Sequence, residues 1–339
     1  MAAVTDGSPE GDGSRGGGPR KVDSSSDGRR FRDADRGQML LVAGLVVAVA
    51  LVALVVLLNA SIYSENVATR GIEAADGEAL EVRAAAVEGT GALIDGTNRN
   101  RLADHGAAVT AVEDGVDGLD AYLARAYAER GGVTRVTTTA ASMREGSYVT
   151  GALTANGTGG SNATLAADVD RTRGFVVDVD PASLASTDES GATADAFRVE
   201  FANDSAATRE VYVYESDDDG NVTVAVGENG GAPTVVCSAS STGLVAVDLT
   251  GNALGNERCP GLWADSVGTL DGDYDVSIER TDAADGEARL TVLPESGDAV
   301  SSEHTATPAV YDAAIDLSYR TAELRFETTV RVAPGEPDA

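Results

Sequence analysis

Val211-Tyr-Val-Tyr-Glu-Ser-Asp-Asp-Asp-Gly-Asn-Val-Thr-Val-Ala-Val226 reads as two short strands around an acidic turn. Aromatic and β-branched residues alternate on both arms, and the Asp217–Asn221 centre supplies the Asp, Gly and Asn that tight turns favour. The same period of two recurs outward from this hairpin. Upstream it marks Phe175–Val179 and Phe197–Phe201. Downstream it marks Leu244–Val247, Tyr274–Ile278, Leu290–Val292, Ile315–Tyr319 and Leu324–Thr328. Short strands divided by Gly, Asp and Asn predict an antiparallel, sandwich-like β domain over residues 131–339, large enough for one domain or two smaller ones.

Before residue 131 the period lengthens. Ile72, Ala75, Ala79, Val82 and Ala86 recur at helical spacing, as do Val109, Val112, Val116, Leu119, Leu123 and Tyr127. Gly89, Gly91 and Asp95-Gly-Thr-Asn98 predict a break between the two stripes. Residues 59–130 are therefore expected to form a helical stalk. Met39–Leu58, MLLVAGLVVAVALVALVVLL, has no charged side chain. Twenty such residues reach about 30 Å as a helix, the thickness of a bilayer's hydrocarbon core. The expected fold class is thus α+β: one transmembrane helix, a stalk and a β-rich ectodomain. Residues 1–38, rich in Gly, Ser, Asp and Arg, read as a disordered cytoplasmic tail or leader.

Orientation follows from charge. Seven of the chain's basic residues precede the apolar run, so the N-terminus is expected in the cytoplasm and residues 59–339 outside the cell. A cleaved secretory signal is the competing reading, but its apolar core would run about 7–15 residues and end at small residues. The seven basic residues of 1–38 are matched by seven acidic ones, so the net charge of −30 lies entirely beyond the tail. Lys21 is the only lysine. Dense carboxylate with almost no lysine resembles the composition of haloarchaeal proteins. It also excludes nucleic acid as a partner, since phosphate binding needs a basic face.

Little in the sequence points to catalysis. The only histidines are His105 and His304, and no Gly-x-Ser-x-Gly elbow surrounds Ser238, Ser240 or Ser241. Asp217-Asp-Asp-Gly-Asn221 offers carboxylates at alternate positions, as a calcium loop does, but the strand at Val222 leaves no room for the rest of one. No enzyme activity, cofactor or metal is expected. Cys237 and Cys259 are expected to form one disulfide outside the cell. Asn59, Asn156, Asn162, Asn203 and Asn221 open glycosylation sequons; Asn59 lies beside the apolar run, which leaves Asn156, Asn162, Asn203 and Asn221 as the candidate acceptors.

Asp35-Arg-Gly-Gln-Met-Leu-Leu41, with the stretch that continues through Asn59-Ala-Ser-Ile-Tyr-Ser-Glu-Asn-Val-Ala-Thr-Arg70, resembles the N-terminus of archaeal type IV pilin-like proteins and of a group of haloarchaeal single-pass membrane proteins. The resemblance implies cleavage by a membrane peptidase after Gly37, so that Gln38 begins the mature chain, and a helix that packs against copies of itself. The chain departs from the bacterial pilin pattern in carrying Val42 where Glu is the rule, and in its 37-residue leader. Gly37 as the end of an uncleaved tail is the other reading. The expected partners are the lipid bilayer and, through the apolar helix, further copies or other pilin-like chains. The expected function is that of a structural or adhesive protein of the cell surface, with a tethered solute- or glycan-binding module as the alternative.

Overall fold

The computed structural model describes residues 50–52, 54–55, 77–153, 162–263, 267–270, 272–295 and 304–337. Two compact units divide the chain, Met1–Arg70 and Gly71–Ala339. In the first, the described residues Ala50, Leu51, Val52, Leu54 and Val55 are helical and exposed. The rest of the apolar run, the tail and the Gly37–Gln38 junction lie outside the described residues.

The second unit is built on one 15-stranded sheet. Helix α1 (residues 77–99) and helix α2 (His105–Ala128) come first. Then follow β1 (Val133–Thr137), β2 (Met143–Ala152), β3 (Asn162–Val179) and β4 (Ser186–Thr187). After a single turn, α3 (Ala192–Asp195), come β5 (Phe197–Asn203), β6 (Thr208–Ser216), β7 (Val222–Glu228) and β8 (Thr234–Ala239). Next are β9 (Val245–Asp248), β10 (Ala253–Leu254), β11 (Glu257–Arg258) and β12 (Tyr274–Glu279). The chain closes with β13 (Gly286–Pro294), β14 (Thr305–Arg320) and β15 (Arg325–Val332). The main path runs β1-β14-β2-β13-β3-β12-β5-β6-β7-β8, with β15 beside β14 and β9 beside β3. Every pairing is antiparallel except β4 with β6.

The alternating strands read from sequence lie in β3, β5, β6, β7, β9, β12, β13, β14 and β15. Their inward residues form a core around Phe201, whose ring meets Phe175, Trp263 and Tyr274 edge-to-face at 5.9–6.0 Å. The Asp217–Asn221 turn closes the β6–β7 hairpin as expected. Gly220 takes φ of 69°, and Asp219 accepts from the Asn221 N–H at 3.1 Å.

The expected fold class of a transmembrane helix and a stalk beneath a separate sandwich does not hold. No helix among the described residues is long and apolar enough to cross a membrane, and the described fold is a β-rich antiparallel sheet with few helices. The helical stripes are not a free stalk either. Ala79, Val82, Ala86, Val109, Val112, Val116 and Leu123 share a core with Val136 of β1, Ile315, Leu317 and Tyr319 of β14, and Val332 of β15. An alanine-rich stripe is too thin to be stable alone, so it buries against the sheet. The expected break at Gly89, Gly91 and Gly96 falls inside α1 instead. Gly89 and Gly115 serve close packing: a Cβ on either would lie 2.9 Å from the side chain of Leu119 or Leu93 on the facing helix. The chain turns later, where Asp104 caps α2 by accepting from the Ala107 N–H at 2.8 Å.

Candidate functional site

The densest polar cluster gathers where α1, β2, β3, β14, β15 and the C-terminal segment meet. Arg173 of β3 is the largest side chain buried among them. Its Nε donates to the Tyr311 carbonyl at 2.6 Å and its Nη2 to the Val310 carbonyl at 3.0 Å. Its Nη1 reaches Asp95 of α1 at 2.8 Å and the Pro334 carbonyl at 2.9 Å. Asn98, one turn on from Asp95, both donates to and accepts from the backbone of Val310, at 2.9 and 3.0 Å. Helix, sheet and C-terminus are thereby joined through one guanidinium and one amide.

Outside this buried knot, Arg144, Arg171 and Arg331 line an open cleft of about 410 Å³ with Asp312 at its floor. Arg144 Nε is 3.0 Å from both Asp312 oxygens, and Arg331 bonds the same carboxylate. Burial opposes the Asp312 charge, but hydrogen bonds from Arg144 and Arg331 outweigh it and hold the carboxyl below its ordinary range. Glu336, on the C-terminal segment, accepts from Tyr311 Oη at 3.1 Å and pairs with Arg331 at 2.6 Å and Arg171 at 3.4 Å. Burial again resists and Arg331 prevails, so Glu336 is held low as well. Tyr311 lies beneath both Arg144 and Arg173, each 5.6 Å from its ring centre. Burial first, then Glu336, raises its hydroxyl far above neutral pH, so it stays a donor.

What this arrangement does chemically is brace. Each guanidinium in the cleft faces a carboxylate, and the Tyr311 hydroxyl that meets Glu336 is buried and held protonated. A second group is the opposite: Asp170, Asp273 and Glu295 bring carboxylate oxygens within 4.8 Å of one another. Hydrogen bonding to Asp273, then the charges of Asp273, Asp170 and Asp168, raise the Glu295 carboxyl. Oxygens so placed suit a hard cation such as calcium, yet two of the three residues are exposed, as acidic surfaces commonly are.

The residues singled out from sequence do not converge. Cys237 of β8 and Cys259 form the expected disulfide, with Cα atoms 5.4 Å apart. It closes a loop of 22 residues, for which the chain-entropy argument gives about 3 kcal/mol. Asn162 is exposed at the start of β3. Asn203 Oδ1 holds a turn by accepting from the Ser205 and Ala207 N–H groups at 3.1 and 3.0 Å. Asn221 Nδ2 donates to Asp219 at 2.7 Å. Asn156, Gly37 and Gln38 lie outside the described residues. The Asp217–Asn221 loop directs Asp219 at its own turn, in keeping with a turn rather than a calcium loop.

The arginine cluster was not foreseen. Its one signal is a polar pair inside an apolar strand: Tyr311 and Asp312 interrupt the buried run Ala309–Ala313. Comparison with known proteins adds a family and nothing more. No curated protein and no solved structure matches the chain. Residues 33–215, which end near the close of β6, match a family described only as of unknown function, DUF7261. That match takes in Arg144, Arg171 and Arg173 but stops short of Asp312, Arg331 and Glu336. Because it spans more than half of the 339 residues, the chain belongs to the DUF7261 family.

Proposed function

We propose that this chain is a structural or adhesive component of the cell surface, pilin-like in its N-terminal processing, with its β-rich unit outside the cell. The observation that carries the reading is the Cys237–Cys259 disulfide, because such bonds persist in oxidising surroundings and are rare in a reducing cytosol. Two further features support it. The acidic excess suits a surface bathed in salt. The polar cluster around Arg173 ties α1, the sheet and the C-terminal segment together, as a load-carrying subunit requires and a flexible catalyst does not.

The test is made on intact cells and on native protein. A membrane-impermeant protease added to intact cells should remove the unit that begins at Gly71 while a cytoplasmic marker protein stays intact. Mass spectrometry of native protein should find Gln38 as its first residue. Protection of the β-rich unit from protease would overturn the surface reading, and any other first residue would remove the pilin-like part of it.

A further inference from the structure

β15, Arg-Phe-Glu-Thr-Thr-Val-Arg-Val, is a regular strand with an open edge. It pairs with β14 over eight residues without a shift of register, and no other described strand pairs with it. Which of its groups face outward follows from the far side of β14. The Val136 N–H of β1 donates to the Asp120 carboxylate at 2.7 Å, so it points away from β14. Its partner Leu317 therefore turns its own N–H and C=O toward β15, where it faces Thr328. Backbone groups alternate sides along a strand. Arg325, Glu327, Thr329 and Arg331 thus present theirs to the free edge.

Proteins blunt such edges with bulges, prolines, lysines or covering groups. Two other edges of this sheet are covered by the chain's own acids. Asp120 takes the Val136 N–H, and Glu189 takes the Val235 N–H of β8 at 3.2 Å. β15 has no bulge, proline, glycine or lysine. Phe326 and Val330, on its helix-facing side, are only half-buried.

We propose that β15 pairs antiparallel with β15 of a second copy, about a two-fold axis at Thr329. Charge selects this register. Centring on Thr329 sets Glu327 against the partner's Arg331 twice over, and Thr329 against itself. It also sets Phe326 against the partner's Val332 and Thr328 against the partner's Val330. Centring on Thr328 would oppose Arg325 to an arginine, and centring on Glu327 would oppose that glutamate to itself. Opposite charges directly across a strand pair stabilise it and like charges destabilise it. Arg331 holds Asp312 and Glu336 yet remains 37% exposed, so it can face a further carboxylate. An isologous contact of this kind closes after two copies, and it requires no cleavage at Gly37.

Sedimentation of purified full-length protein at molar sodium chloride tests this. The unaltered chain should sediment as a dimer. Thr329→Pro removes one outward N–H and no backbone bond to β14, losing there only the Thr329 hydroxyl's bond to Asp316 at 2.5 Å, so it should give monomer with unchanged circular dichroism. Glu327→Arg should weaken the dimer by about tenfold or more, and it carries the test alone if the proline variant loses strand signal. Hydrogen exchange in a peptide covering residues 325–331 should be slow in the dimer and fast in both variants. A monomeric unaltered chain, or a dimer that survives Glu327→Arg with slow exchange at 325–331, would overturn the proposal.

Discussion

Arg173 does what no other side chain can do in its place. Its planar fork serves three carbonyls and Asp95 at once, at distances of 2.6–3.0 Å. A lysine has three donors at a single point and would leave acceptors unmatched. Arg173→Met should therefore destabilise the fold by about 3 kcal/mol, since it strands buried carbonyls and removes a partner of Asp95. Arg173→Lys should recover only part of that loss, because its charge is kept and its geometry is not. Denaturant unfolding followed by circular dichroism measures both. A Lys variant as stable as the original would mean that charge alone matters at this position. Asn98 is the second such residue: its amide bonds both the N–H and the C=O of Val310, which ties the end of α1 to β14.

Glycine separates two kinds of position in the helical pair. At Gly118 of α2 nothing lies within 4 Å of where a Cβ would stand, whereas Gly89 and Gly115 have leucine methyls at 2.9 Å. Gly118→Ala should raise stability by about 0.5–1 kcal/mol, the helix-propensity gain with no packing penalty. Gly89→Ala should fall below it, because Leu119 must leave its rotamer to make room. Thermal melts of the two variants should move apart; equal shifts would show that the pair is loosely packed.

The same contrast explains what could be read from sequence at this scale. β5 was legible because burial of one face dictates its alternation, whereas β6 and β7, buried on both faces, were legible from their aromatic and β-branched residues around an acidic turn. β2 was not: Gly146 and Gly151 look like turn signals. In the fold Gly146 lies in mid-strand, where a Cβ would come within 2.7 Å of the Val292 carbonyl. Likewise the glycines of α1 read as a break when they mark close approach. The arginine cluster was hidden for a different reason. Asp95, Arg173 and Glu336 are separated by well over a hundred residues at the extremes, and only the folded sheet brings them together.

Over the whole molecule, charge sets how stability depends on salt and pH. A net charge of −30 destabilises the compact state in dilute buffer through self-repulsion. Added salt shortens the Debye length from about 10 Å at 0.1 M to about 3 Å at 1 M and so removes most of that repulsion. Protonating surface acids does the same by another route. Glu200 is raised by burial and then by Glu279, and Glu295 by its acidic neighbours, so protonation of both favours the fold as pH falls through their raised values. Asp312 and Glu336 work in the other direction. Their folded values are depressed, so their contribution is present above the ordinary carboxylate range of about 4 and is lost as pH drops through the folded values. In dilute buffer, melting temperature should therefore rise from neutral to mildly acidic pH and fall below about pH 4. At about 1 M sodium chloride the rise should flatten, because the repulsion that drives it is already screened. The fall should persist, because the Asp312 and Glu336 pairs are partly shielded from solvent ions. Melts at the two salt concentrations across this pH range decide it. A neutral-pH melting temperature that ignores salt would show that acidic self-repulsion plays little part in the stability of this fold.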